Sequence, residues 1–363
     1  MKYHIDASGK VAYLQLYEQL RKDIVNGIFP YGAKLPSKRL LAEEAGVSVV
    51  TVQHAYAILC DEGYLESRQR SGYFVLYRES DFLSFAAAGG DMAGDISVYT
   101  AHTHSTKGEF PFSVLARTMR KVLLDYGTSI LEKSPNHGCD QLRRAISAYL
   151  ARSNGITARP EQIIIGSGAE YLYSLIVQLL GSDRVYALEK PSYDKIRRVY
   201  QANGARCDML KLGKDGIKSE EFEKTQATVL HVTPYNSYPS GITASVSKRL
   251  EYLRWAEKRD GYIIEDNYDS ELTVSSKNED TVFSLAENGS VIYLNTFSQT
   301  IAPSMRVGYM VLPERLLQEF ETKLGFYSCT VPVFEQYVLA QLLGSGDFER
   351  HINRVRRERR KNK

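Results

Sequence analysis

"QIIIGSGAEYLYSLIVQLL", residues 162–180, carries three consecutive isoleucines, a Gly-Ser-Gly turn, and then an apolar run at helical spacing. Apolar residues without polar alternation predict a strand covered on both faces. Gly166, Ser167, Gly168 and Ala169 then join that strand to a helix with almost no side-chain bulk. Such a turn lets backbone N–H groups meet an anion at the positive end of the helix. Many tight strand–helix turns share this composition, so the turn alone names no ligand.

The same alternation continues outward. "RVYALEKPSY" (184–193), "TVLHVTPY" (228–235), "GYIIEDNY" (261–268), "SVIYLNTFS" (290–298) and "RVGYMVLP" (306–313) are further short apolar runs. Helical patterns such as "VSKRLEYLRWAEKR" (246–259) separate several of them. Alternating strands and helices predict an α/β fold around a sheet buried on both sides. Ligands in such folds bind at the carboxyl ends of the strands. Those ends hold Asp266 and Tyr268 in one loop, and Thr296, Ser298 and Arg306 in "NTFSQTIAPSMR" (295–306). Hydroxyls beside an arginine suit a dianionic phosphate.

The first eighty residues have a different character. In "YLQLYEQLRKDIVNGIF" (13–29), Leu14, Tyr17, Leu20 and Ile24 keep helical spacing until Gly27. Ser37 is placed to cap a short helix through Glu44, and Gly46 to close it. Ser48 caps the next, whose Val52, Ala55, Tyr56 and Leu59 form one apolar stripe. Two short helices around a glycine turn make a helix-turn-helix, whose second helix enters the DNA major groove. "YLESRQRSGYFVLY" (64–77) follows as a hairpin with Ser71 and Gly72 at its turn, putting Arg68 and Arg70 near a phosphate backbone.

At 363 residues the chain exceeds what one core usually supports, so two domains are expected. No apolar run approaches the ~18 residues that span a bilayer. Cys60, Cys139, Cys207 and Cys329 are scattered. That pattern suits a reducing cytoplasm and implies neither disulfides nor a metal site. The net charge of +3 is uneven: residues 1–78 carry ten basic against eight acidic groups, and residues 349–363 carry eight against two. Positive charge at both ends makes nucleic acid a candidate partner, although the C-terminal run also suits a solvated helix face.

The motif "KLPSKRLLAEEAGVSVVTVQHAYAIL..EGYL..R...GYFV" closely resembles the winged helix-turn-helix of the GntR family of bacterial regulators. The resemblance implies that Lys38 and Arg39 approach phosphates, that Ser48, Thr51 and Gln53 face the groove, and that Gly72 forms the wing tip. Val49 stands where the family often has a basic residue. One weakly basic module implies two copies acting together on two half-sites of a double-stranded operator.

Beyond it, "HGCDQLRRAISAYL", "EKPSY", "VTPYNSYPSG" and "EDNYDSE" occur in the order seen in fold-type-I aminotransferases. With the N-terminal module they resemble the MocR-type regulators, in which a GntR winged helix is fused to an aminotransferase-like domain. The implied layout is a DNA-binding domain over 1–78, a linker over 79–109 and an aminotransferase-like domain over 110–363, the last without its small C-terminal part. The implied cofactor is pyridoxal 5'-phosphate. Asp266 would pair with its pyridine nitrogen, Tyr268 with its ring hydroxyl, and Tyr193 would stack on the ring. Ser167, Gly168, Ala169, Ser298 and Arg306 would hold its phosphate. A homodimer is implied as well.

One position breaks the pattern. Gln299 stands where the family has the lysine that bonds to the cofactor aldehyde. A carboxamide has no basic lone pair, so it can neither form that bond nor carry the α-proton. We therefore expect no catalytic residue here, and a receptor that binds the cofactor, or its adduct with an amino acid, noncovalently. The alternatives are an enzyme with an unusual catalytic group, and a ligand-free dimerisation domain.

Overall fold

The computed structural model of this chain describes residues 3, 5, 11–68, 71–77, 110–268, 270–272, 280–286 and 289–361. Arg70 and the linker over 79–109 lie outside the described residues. The chain divides into two compact units. One is Met1–Ser105 with Pro111–Leu124; the other is Thr106–Phe110 with Asp125–Lys363.

The first unit contains α1 (Ala12–Val25), α2 (Lys38–Ala45), α3 (Val49–Asp61), β1 (Leu65–Arg68) and β2 (Gly72–Val75). It also takes most of α4 (Phe112–Tyr126). Ser37 Oγ accepts from the Leu40 N–H at 3.2 Å, and Ser48 Oγ from the Thr51 N–H at 3.1 Å. These are the side-chain caps that satisfy exposed N–H groups at helix starts. Between the two helices Gly46 has φ 65°, a left-handed cap that glycine reaches without strain. The apolar stripes meet in one core of Leu16, Leu20, Ile24, Leu41, Val52, Ala55, Tyr56 and Leu59. The hairpin pairs Leu65 with Val75 and Arg68 with Gly72. Gly72 is the first residue of β2, at φ 111°, paired with Arg68. In the same unit α4 sets Arg117 Nη1 3.5 Å from Asp61 Oδ1 and the Arg120 guanidinium 5.0 Å from the Tyr64 ring centroid.

In the second unit α5 (Asp140–Ser153) precedes β3 (Ile163–Gly166), α6 (Ala169–Leu180), β4 (Val185–Lys190), α7 (Asp194–Ala202) and β5 (Arg206–Lys211). Then follow α8 (Ser219–Lys224), β6 (Val229–Val232), α9 (Val246–Lys258), β7 (Tyr262–Asp266), α10 (Val282–Leu285), β8 (Val291–Thr296) and β9 (Gly308–Val311). Helices α11 (Glu314–Leu324), α12 (Val333–Gly344) and α13 (Asp347–Lys361) come last. The seven strands form one sheet in the order β3-β9-β8-β7-β6-β4-β5. All neighbours run parallel except β9, which is antiparallel to both β3 and β8.

Side chains alternate across the sheet, so adjacent isoleucines serve different cores. Ile264 joins Leu172, Ile176, Ile292 and Met310, the cluster that includes residues of α6, α7 and α11. Ile263 joins Leu230, Tyr252, Trp255 and Val291 on the α9 side. All six runs foreseen as strands are strands. The edge strand β5, "RCDMLK", is an addition: it alternates polar residues and is only half-buried, so it lacks the continuous apolar signal.

Candidate functional site

In the first unit the start of α3 presents Ser48, Val49, Val50, Gln53 and His54 as exposed side chains, with Thr51 half-buried. Ser48 Oγ and Thr51 Oγ1 lie 2.9 Å apart, so these two hydroxyls are engaged with each other as well as with the cap. Lys38 Nζ donates to Gln53 Oε1 at 3.4 Å, which ties α2 to the recognition face, and Arg39 is exposed beside it. Arg68 packs on the Phe74 ring, 4.6 Å from its centroid, and pairs with Glu66 at 2.8 Å. Val50 and His54 share this face without having been foreseen; an exposed methyl or imidazole at helical spacing looks like any surface residue in a sequence.

In the second unit the carboxyl ends of β4, β6, β7 and β8 open around a cavity of about 350 Å³. Its wall brings together the foreseen Ala169, Tyr193, Asp266, Tyr268, Ser298 and Arg306, with Gln299. Glu170, Tyr173, Lys195, Thr233, Tyr238 and Thr296 also line it. Ser167 and Gly168 are not among its lining residues. The Ser167 N–H donates to Thr330 Oγ1 at 3.2 Å, so this donor is already used. Gly168 has φ 91°, and a Cβ there would come within 3.1 Å of Arg306 Nη2; the guanidinium lies against the turn that opens α6.

Asp266 forms the polar floor. It is 3% exposed at the end of β7. The Tyr173 hydroxyl donates to Oδ2, and His231 Nε2 lies 3.6 Å from the same oxygen. His231 Nδ1 in turn shares a 2.6 Å hydrogen bond with the Tyr200 hydroxyl. Burial, and then the Asp266 charge, push the Tyr173 hydroxyl well above the usual tyrosine range, so it stays protonated and donating. Asp266 Oδ1 is buried and has no hydrogen-bond partner. A buried acceptor without a donor is costly, which marks this oxygen as waiting for one. The protonated nitrogen of a pyridine ring fits that requirement. Around it, Tyr268 donates to the Asn236 carbonyl at 3.0 Å and Ser298 to the Met305 carbonyl at 3.1 Å. Tyr193 meets Tyr238 edge to face at 6.2 Å. Tyr173, His231 and Tyr200 belong to apolar stripes in the sequence and only their hydroxyl or imidazole directions reveal the role.

Beside this floor Glu189, 3% exposed at the end of β4, accepts from Ser237 Oγ at 2.5 Å and from the Thr233 N–H at 3.3 Å. Burial raises its carboxyl from 4.5 to about 7. The folded chain therefore holds this proton more tightly than the unfolded chain. Its stabilising effect is complete below pH 4.5 and is lost as pH rises through about 7. Glu189→Gln is expected to flatten that window. Between its two ends the wild type should lose on the order of 3 kcal/mol relative to the variant, as read by denaturant unfolding at a series of pH values.

Residues 12–75 match the gntR family of bacterial regulatory proteins, and residues 105–363 match aminotransferase class I and II. The probable rhizopine catabolism regulatory protein MocR of Rhizobium meliloti is 30% identical over 365 residues, 94% of this chain and 74% of its own length. The chain is a MocR-type member of the GntR family. Other relatives of this MocR-type regulator include the uncharacterised HTH-type transcriptional regulator YdeL of Bacillus subtilis, 32% identical over 96% of this chain and 77% of its own length. The HTH-type pyridoxine biosynthesis transcriptional regulator PdxR of Corynebacterium glutamicum is 29% identical over 94% and 75%. Among solved structures, Pyrococcus horikoshii kynurenine aminotransferase, in a complex containing PMP, superposes with a TM-score of 0.62 at 25% identity. Thermus thermophilus α-aminoadipate aminotransferase, holding N-(5'-phosphopyridoxyl)-L-leucine, gives 0.60 at 26%. Each likeness covers 68% of this chain and 64% of the aminotransferase. The protein is thus a DNA-binding transcriptional regulator with an aminotransferase-like domain. Among the described residues no helix is long and apolar enough to cross a membrane.

Proposed function

We propose that this MocR-type regulator senses pyridoxal phosphate, or its adduct with an amino acid, by noncovalent binding in the cavity above Asp266. The observation that carries the reading is the buried, unpartnered Asp266 Oδ1 on the wall of that cavity. When bound, the group supplies a conjugated electron sink and an aldehyde. The chain's own residues supply the rest. Asp266, steadied by Tyr173, keeps the ring nitrogen protonated. Tyr193 covers a ring face, and Ser298, Arg306 and the start of α6 take the phosphate. Gln299 lines the same wall and offers no amine. Lys195 is an amine on that wall, but its Nζ is held by Glu170 Oε1 at 2.9 Å.

The regulator acts in the cytoplasm as a homodimer, so that two helix-turn-helix units read two half-sites of an operator. Ligand changes transcription by binding one dimer arrangement better than another, since equal affinity shifts nothing. Titration of the full chain with pyridoxal phosphate tests this. Stability should rise with the logarithm of ligand concentration, by about 2.7 kcal/mol at one hundred times Kd, and operator affinity should change over the same range. A flat thermal response at saturating ligand returns the domain to a purely dimerising role.

A further inference from the structure

Two cations reach the first turn of α6 from different parts of the chain. Lys195 comes from the start of α7, and Arg306 from the loop before β9. Both converge on one carboxylate: Glu170 Oε1 lies 2.9 Å from Lys195 Nζ, and Glu170 Oε2 lies 3.7 Å from Arg306 Nη2. All three side chains line the cavity whose floor is the unpartnered Asp266 Oδ1. The Arg306 guanidinium also lies over Gly168, where the helix opens. Glu170 therefore occupies the ground between two cations and a helix N-terminus, the place where an incoming dianion gathers most attraction.

We propose that Glu170 is a built-in counter-anion, which a ligand phosphate displaces from Lys195 and Arg306, and that Lys195 is the second phosphate-binding cation of the site. The inference rests on the reading of the cavity as a pyridoxal phosphate site. Its ligand class is narrower: compounds whose phosphate can take over both cations. The Glu170 pairs are about half exposed, and exposed pairs hold weakly, so the carboxylate tunes binding and does not block it. Between ligands it keeps the two long cations converged, so less side-chain freedom is lost when phosphate arrives. It also subtracts from phosphate affinity, which moves the sensing range to higher ligand concentration.

Dissociation constants of the full-length wild type, Glu170→Gln and Lys195→Gln for pyridoxal phosphate and for unphosphorylated pyridoxal test the proposal. Gln has nearly the shape of Glu, and equal thermal unfolding of the free proteins verifies the fold. Glu170→Gln is expected to tighten pyridoxal phosphate by about fivefold, because one opposing charge and one competing pair are removed. Pyridoxal should be unaffected. Lys195→Gln should weaken pyridoxal phosphate and leave pyridoxal alone. Unchanged or weaker phosphate binding by Glu170→Gln, or equal tightening of both compounds, overturns the counter-anion role while the cofactor site stands. If none of the three proteins binds pyridoxal phosphate, both the inference and the cofactor reading fall.

Discussion

Replacing Gln299 with lysine should turn a dissociable ligand into one that borohydride fixes to the chain. Position 299 lies in the turn after β8, one residue beyond Ser298 and on the wall shared with Asp266. A carboxamide there can only donate and accept hydrogen bonds, whereas an amine can attack the aldehyde and release water. The wild type, mixed with one equivalent of pyridoxal phosphate and reduced, should carry no stoichiometric adduct on any residue lining the cavity. Gln299→Lys should turn yellow with ligand, lose the colour on reduction, and carry close to one pyridoxyl phosphate per chain at residue 299. Peptide mapping distinguishes that residue from Lys195, whose amine is already paired with Glu170. A stoichiometric reduced adduct on a cavity-lining side chain of the wild type would show that the noncovalent reading is wrong.

Asp266→Asn should remove most of the ligand affinity with little effect on the free protein. The substitution keeps the volume of a side chain that is 3% exposed and leaves an oxygen for Tyr173 to donate to. It deletes the negative charge that Oδ1 offers to a protonated ring nitrogen. A hydrogen bond to a charged group contributes about 1.5–3 kcal/mol, so a loss of roughly tenfold to two-hundredfold in affinity is expected. Calorimetric titration of both proteins measures it. An unchanged dissociation constant would mean that the ring nitrogen does not meet Asp266.

Much of this architecture is legible in the sequence, because the sheet is buried on both faces. β3, β6, β7, β8 and β9 are nearly continuous apolar runs, and such runs carry their own signal. β5 escaped because an edge strand with alternating polar residues resembles a loop. At the site, Asp266, Ser298 and Arg306 were legible because strand ends are where this fold puts ligands. Tyr173 was not: at helical spacing among leucines it counts as core, and only the direction of its hydroxyl joins it to Asp266. The meeting of Glu170 with Lys195 and Arg306 is likewise a property of three separate segments. Helix α4 gives the same lesson, since residues 111–124 fold with the first unit although they adjoin the second in the chain. Helical spacing shows which face seeks cover, but not which neighbour provides it.

The pairing of β3 with β9 also bears on how the protein is made. Among the described residues the strand that pairs with β3 is β9, with Ile163 opposite Val311, so this strand pairing waits until the ribosome has released most of the polypeptide. Ala169 and Arg306, on opposite sides of that delay, must both be in place before the cavity exists. The winged helix, by contrast, gathers its core from residues 3–75, a shorter span than separates β3 from β9, and shorter sequence separations favour faster folding. A nascent regulator therefore has its DNA reader assembled before its sensor, and a chain interrupted in mid-translation is a reader without one.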